Sequence, residues 1–194
     1  MDINGEYIIP SSRATVWAAL NDPETLQACI PGCEELMRSE SGDGFDARVL
    51  AKIGPVKATF RGGVRFEDVV PEQGYSIVGE GKGGPAGFAK LKANVKLEDA
   101  ENGATRLTYT ADAQLGGKLA QLGSRLIEGT ARKYADDFFT SLTARLTPAT
   151  DTSKAEASAA APAAKAAPTA GGSSRLMLYA LGAAAATVLI IAFL

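Results

Sequence analysis

The most telling chemical feature of this chain is a missing one: its 194 residues include no histidine. Ser-His-Asp and Cys-His catalysis, imidazole zinc sites and the usual neutral-pH general base are removed together. Proton transfer is left to carboxylates, Lys, Tyr or Cys. Both cysteines lie in Cys29-Ile30-Pro31-Gly32-Cys33. Two thiols do not complete a tetrahedral metal site, and no other soft ligand stands beside them, so the spacing predicts packing residues at a turn. Gly79-Glu80-Gly81-Lys82-Gly83-Gly84 matches G-x-G-x-x-G. That pattern binds a pyrophosphate only where a strand runs into a helix N-terminus. Here Pro85-Ala86-Gly87-Phe88 leads into another strand, so the glycines read as a wide turn. Asp136-Asp137 and Glu34-Glu35 are adjacent pairs. Neighbours on a helix point about 100° apart, so Asp136 and Asp137 do not converge on one substrate atom.

Charge excludes a further class. The chain carries 20 Lys+Arg against 22 Asp+Glu, a formal net charge of −2. A nucleic-acid binder needs a concentrated basic face to neutralise phosphates, so no nucleic-acid partner is expected. Arg48, Lys52, Lys57, Arg61 and Arg65 recur along the middle of the chain and read as a solvated sheet face.

The elements that would position any site follow from periodicity. Residues 2–9 alternate as a strand, with Ile3, Gly5, Tyr7 and Ile9 on one side. Ser11 or Ser12 can cap a helix over 13–20 in which Val16, Trp17 and Leu20 share a face. Asn21-Asp22-Pro23 breaks it and starts a second short helix over 24–28 with Pro23 at its first position. Strands are predicted over 36–39, 44–53, 56–70, 75–80, 89–98 and 105–114. Gly62-Gly63 suggests a bulge or bend inside the third of these. Short turns between successive strands imply an antiparallel meander. Leu119, Leu122, Leu126, Thr130, Tyr134, Phe138 and Leu142 step by three or four residues, as one long helix would place them. Gly123 and Gly129 fall within that helix. Each costs roughly 0.5–1 kcal/mol against Ala, and close approach to the sheet or to a ligand would justify them.

Beyond residue 146 the language changes. Residues 147–174 hold little but Ala, Ser, Thr, Gly and three prolines, Pro148, Pro162 and Pro168. Such a stretch buries too little apolar surface to offset its ordering entropy and reads as a disordered linker. Arg175 then precedes Leu176–Leu194, which is free of charge. At 1.5 Å per residue this segment spans about 28 Å, close to the roughly 30 Å hydrocarbon core of a bilayer. Residues 175–194 are therefore expected to form a single C-terminal transmembrane helix. Met1–Pro10 lacks the apolar run of a signal peptide, and Lys154, Lys165 and Arg175 precede the span, so the domain over 1–146 is expected in the cytoplasm.

The order of strand, two short helices, long meander and C-terminal helix resembles the helix-grip fold of START-like, Bet v 1-like domains, an α+β class. More narrowly, Asp2-Ile3-Asn4-Gly5-Glu6-Tyr7, Val16-Trp17, Asn21-Asp22-Pro23-Glu24, Cys29-Ile30-Pro31-Gly32-Cys33 and Phe88-Ala89-Lys90 resemble the carbon monoxide dehydrogenase G-subunit family. Leu115-Gly116-Gly117-Lys118-Leu119-Ala120 and Gly123-Ser124-Arg125-Leu126-Ile127 extend the resemblance through about residue 146. It implies a curved antiparallel sheet around a long C-terminal helix. It also implies a role as accessory to a molybdenum-containing carbon monoxide dehydrogenase or a related molybdenum hydroxylase, recruited to the cytoplasmic membrane. One Cys pair without His holds no iron–sulfur centre, so redox chemistry would belong to the partner.

The aromatic residues fall on predicted elements and form either an ordinary packed core or the wall of a cavity between sheet and helix; periodicity does not separate the two. A hollow interior would suit a quinone or other prenyl lipid as a non-covalent ligand, coupling the partner to respiration. The candidate lining is Trp17, Leu26, Ile30, Phe60, Phe66, Phe88, Leu122, Leu126 and Tyr134. Two rivals stand beside this: a helix-grip cyclase or dehydratase acting on a bulky apolar substrate, and a pure membrane tether with a packed core. An enzyme needs an inward carboxylate or Lys within the aromatic set, for which Glu67, Asp112 and Glu128 are the candidates.

Overall fold

The computed structural model describes residues 2–147. Seven strands build one antiparallel sheet: β1 (Asp2–Ile9), β2 (Cys33–Arg38), β3 (Gly44–Ile53), β4 (Val56–Val70), β5 (Gly74–Lys82), β6 (Phe88–Asp99) and β7 (Thr105–Gly116). Their order is β1-β7-β6-β5-β4-β3-β2. From β2 to β7 each strand pairs with the next, as short connections dictate. β1 returns to the far edge, with Ile3 opposite Ala111 and Ile9 opposite Thr105.

Strict alternation gives the sheet one dry face and one wet one. On β6, Ala89, Leu91, Ala93, Val95 and Leu97 are buried while Lys90, Lys92 and Lys96 face solvent. The buried face packs against three helices, α1 (Arg13–Asn21), α2 (Pro23–Cys29) and α3 (Ser124–Leu146). Phe45, Phe60, Ile77, Leu107 and Phe138 are among the side chains fully enclosed there.

Local signals set the helix ends. The Ser12 hydroxyl accepts from Thr15 N–H at 3.3 Å and opens α1. Asp22 serves two helices: its own N–H closes α1 on the Ala19 carbonyl, and its carboxylate accepts from Thr25 N–H at 3.0 Å to open α2. The Thr25 hydroxyl bond to that carboxylate, ahead of other causes, holds the Asp22 pKa below its ordinary value.

Three expectations need correction. The long helix does not begin at Leu119: Leu119–Leu122 is a 3₁₀ turn, and Gly123 at φ +83 breaks the chain before α3 starts at Ser124. Its buried face runs through Ile127, Ala131, Ala135, Phe138, Phe139 and Leu142, so Leu126 and Thr130 lie to one side of it. Small Ala131 and Ala135 let the helix axis approach the sheet, which a Leu-rich stripe would hold away. Gly129 has open space where a Cβ would sit, so close approach does not explain it. Lastly, Gly62-Gly63 carries no bulge. Both residues keep register with β3 and β5, and the irregularity falls between Glu67 and Val70. Gly62 instead accommodates the backbone of Glu80, which a Cβ there would strike.

Residues 148–174, read as a linker, and 175–194, read as a transmembrane anchor, lie outside the described residues. Among the described residues no helix is long and apolar enough to cross a membrane.

Candidate functional site

The sheet grips α3 from both sides. On the β1 side, Tyr7 donates its hydroxyl to Asp136 Oδ1 at 2.7 Å and lays its ring on Phe139, centroids 3.9 Å apart. On the β3 side, Lys52 N–H donates to the Tyr134 hydroxyl at 3.1 Å. Residues two apart on a helix point roughly 200° from each other, so these bonds hold opposite flanks of one turn. Burial, then the Asp136 bond, pushes the Tyr7 hydroxyl pKa well up, so it remains a donor at neutral pH.

Below this clasp lies an aromatic cluster. Trp17 of α1 meets Tyr75 edge-on at 5.8 Å, Tyr75 meets Phe66 at 5.6 Å and 80°, and Phe66 meets Phe45 at 5.8 Å and 87°. Edge-to-face packing of this kind is favourable. Tyr75 is only 4% exposed, yet its hydroxyl has no hydrogen-bond partner. Burial alone raises its pKa well above the ordinary value. It is therefore a buried donor without a protein partner, as is the Nε of Arg13, which borders the same depression. Toward the other end of the sheet the inward positions shrink: Gly79 and Gly81 on β5, Ala89 on β6 and Ala113 on β7 are all buried. The interior thus runs from an aromatic end to an end where β5, β6 and β7 contribute small residues.

The sequence-derived lining separates into three groups. Leu26, Ile30, Phe60 and Phe66 are buried in the core. Trp17, Leu122 and Tyr134 are half-buried against it. Phe88 and Leu126 stand 43% and 40% exposed at the loop end, where β3–β4, β5–β6 and β7–α3 connect. Tyr75 is the residue that sequence reasoning did not single out. Its signal was available: a tyrosine at an inward position of an alternating strand brings a hydroxyl that must find a partner.

The candidate carboxylates do not join the aromatic cluster. Glu67 and Asp112 face outward and line a groove of about 1010 Å³ across the wet face, with Arg61, Arg65 and Lys90 among its walls. Glu128 is half-exposed on α3. Arg48, one of the basic row, is paired with Glu34 at 2.7 Å and Glu35 at 3.0 Å on that same face. The thiols are free, Cys29 buried at the end of α2 and Cys33 half-buried at the start of β2. Burial pushes the Cys33 thiol up to about 11, so it stays protonated near neutrality. Among the described residues no group of His, Cys, Asp and Glu gathers as a metal site would require.

Comparison with known proteins gives this geometry a context. The family model described as the G-subunit of carbon monoxide dehydrogenase (CoxG) matches residues 5–147. No curated protein matches the sequence. Among solved structures, a conserved protein from Geobacillus kaustophilus is similar at 31% identity and a TM-score of 0.71, over 75% of this chain and 95% of that one. A START superfamily protein from Mycobacterium smegmatis shares the fold at 13% identity and a TM-score of 0.56, over 75% and 96%. The Zhui aromatase/cyclase from a Streptomyces species does so at 12% identity and a TM-score of 0.57, over 75% and 93%.

Proposed function

The chain belongs to the carbon monoxide dehydrogenase G-subunit (CoxG) family, and from that premise we propose that it is an accessory holding a molybdenum-containing carbon monoxide dehydrogenase, or a related molybdenum hydroxylase, at the cytoplasmic membrane. The observation that carries this reading is the family match across 5–147, nearly the whole described domain. The uncharged run Leu176–Leu194 supports the membrane half of it, as a C-terminal anchor that leaves the folded domain in the cytoplasm.

The interior supports a further role, binding a quinone or other prenyl lipid and presenting it to the enzyme. A quinone headgroup is planar, apolar on its faces and carries carbonyl acceptors. The cluster of Trp17, Phe66 and Tyr75 offers aromatic faces and one unpaired donor. An unpartnered buried hydroxyl costs about 1–3 kcal/mol, so a ligand acceptor there would remove a standing penalty. The end walled by Gly79, Gly81, Ala89 and Ala113 is of the right character for an isoprenoid tail.

The rival reading, a cyclase-like enzyme, shares the fold of the Streptomyces aromatase/cyclase, and a likeness at 12% identity speaks for fold alone. Glu67 and Asp112 lie on the far side of the sheet from the aromatic cluster, where neither serves an interior substrate.

The test is organic extraction of the purified full-length protein, with mass spectrometry of what is released. A quinone or prenyl lipid is expected. An empty extract, together with no binding of added quinone, would reduce the protein to a tether. Removing the protein from its host should shift the partner oxidoreductase from membrane to soluble fractions; a partner that stays on the membrane would defeat the recruiting role itself.

A further inference from the structure

The loop end of the sheet brings a basic groove free of acidic residues together with two exposed apolar side chains. A groove of about 770 Å³ there is lined by Pro55–Thr59, Arg61, Lys82–Ala86 and Lys118. Four of those residues are cations, Lys57, Arg61, Lys82 and Lys118, and none is acidic. Lys82 has Glu80 at 3.5 Å, whereas Lys57, Arg61 and Lys118 take part in no ion pair among the described residues. Phe88 and Leu126 stand at the same end, at 43% and 40% exposure. Leu126 sits over the β3–β4 turn, its Cδ2 2.8 Å from where a Cβ on Gly54 would lie. The outer-face groove, which shares Arg61 and Lys82 with this one and carries the exposed Met37 and Val78, differs in its acidic residues: its cations are interleaved with Glu35, Asp46, Glu67, Glu80 and Asp112.

We infer that the loop end docks onto the surface of an anionic bilayer, with Lys57, Arg61 and Lys118 at the headgroups and Phe88 and Leu126 below them. Unpaired cations beside exposed apolar side chains are the pattern that holds peripheral surfaces to anionic lipid. An acidic protein surface would match the charge but leave the two large apolar side chains without a reason. The inference deepens the reading of the protein as membrane-tethered, because it says which face the tether brings down. Chain length permits it. The described domain ends at Thr147, at the far end of α3 from this groove, about 34 Å away for a 23-residue helix. Residues 148–174 reach at most about 90 Å when extended, ample to turn the domain over.

The experiment is hydrogen exchange of the full-length protein on two sets of vesicles, one purely phosphatidylcholine and one containing phosphatidylglycerol, with sedimentation run in parallel. Amides of residues 54–57, 83–88 and 117–125 should exchange about tenfold more slowly on the anionic vesicles alone. Each basic residue near an anionic surface strengthens binding roughly fivefold. Lys57→Glu with Lys118→Glu should therefore abolish that protection, while Lys57→Arg with Lys118→Arg keeps it. Both lysines are exposed, and circular dichroism would register any misfolding of either pair. Sedimentation with both vesicle types but equal exchange on the two overturns the docking and leaves the anchor standing; the cations would then belong to an acidic protein partner. Sedimentation and protection on anionic vesicles only upholds the docking and removes the anchor. No sedimentation with either removes both.

Discussion

At the scale of single residues, the Tyr75 hydroxyl is the most informative atom in the domain, because its two roles predict opposite signs. In the ligand-free protein it is a buried donor with no protein partner, so Tyr75→Phe should raise the denaturant midpoint, corresponding to about 1 kcal/mol. For a bound quinone it is one available donor, beside the likewise unpaired Arg13 Nε, so the same variant should weaken binding by about tenfold, the worth of one hydrogen bond. Equilibrium denaturation and a quinone titration on one variant read both effects. A lowered midpoint would mean that the hydroxyl finds a partner in solution, and its case as a ligand group would end. The cysteines behave as their spacing suggests: free thiols at the junction of α2 and β2, kept neutral by burial.

At the scale of elements, the strands were readable and the last helix was readable in its second half, where Phe138 and Leu142 are buried as their spacing predicts, but not in its first. Alternation gave every strand to within a few residues, because each has one wet and one dry face and side chains of matching character. The helix misled because its apolar residues form two overlapping ladders. Leu122, Leu126, Thr130 and Tyr134 make one, Ile127, Ala131, Ala135 and Phe139 the other, and size alone favours the first. The second is the buried one: Ile127, Ala131, Ala135 and Phe139 face the core that Phe45, Phe60 and Ile77 fill. Gly129 follows from that arrangement. On the true register it faces solvent with nothing near its missing Cβ, so Gly129→Ala should stabilise the protein by about 0.5–1 kcal/mol. A thermal melt is sufficient to see it. A loss of stability would place Gly129 in a contact, and the register of α3 would need redrawing. Burial of the proposed lining was legible in part. Leu26, Ile30, Phe60 and Phe66 were recoverable from pattern, but which aromatic residue would be left with an orphan hydroxyl depends on side-chain partners that no spacing reveals.

At the scale of the whole molecule, the proposed orientation is open to direct test. Lys154, Lys165 and Arg175 all precede the apolar C-terminal run, which predicts a cytoplasmic domain. Protease added to sealed spheroplasts should leave residues 1–146 intact, and digestion from outside would reverse the topology. The grip on α3 bears on how a ligand would enter so closed a domain. The bonds from Tyr7 and Lys52 hold the helix at Asp136 and Tyr134, both on one turn, while Ser124 lies about 15 Å further along the axis. A further bond, from the Ser11 hydroxyl to the Leu146 carbonyl at 3.4 Å, ties the C-terminal end, so these polar ties run from the middle of the helix to that end and the N-terminal half would pivot on the first of them. Tilting α3 by about ten degrees around that fulcrum would swing Ser124 and Leu126 by about 3 Å, close to the thickness of an aromatic ring. The small residues at that end of the sheet then become a slot, opening where the domain is proposed to meet the lipid, with the two tyrosines serving as its axle.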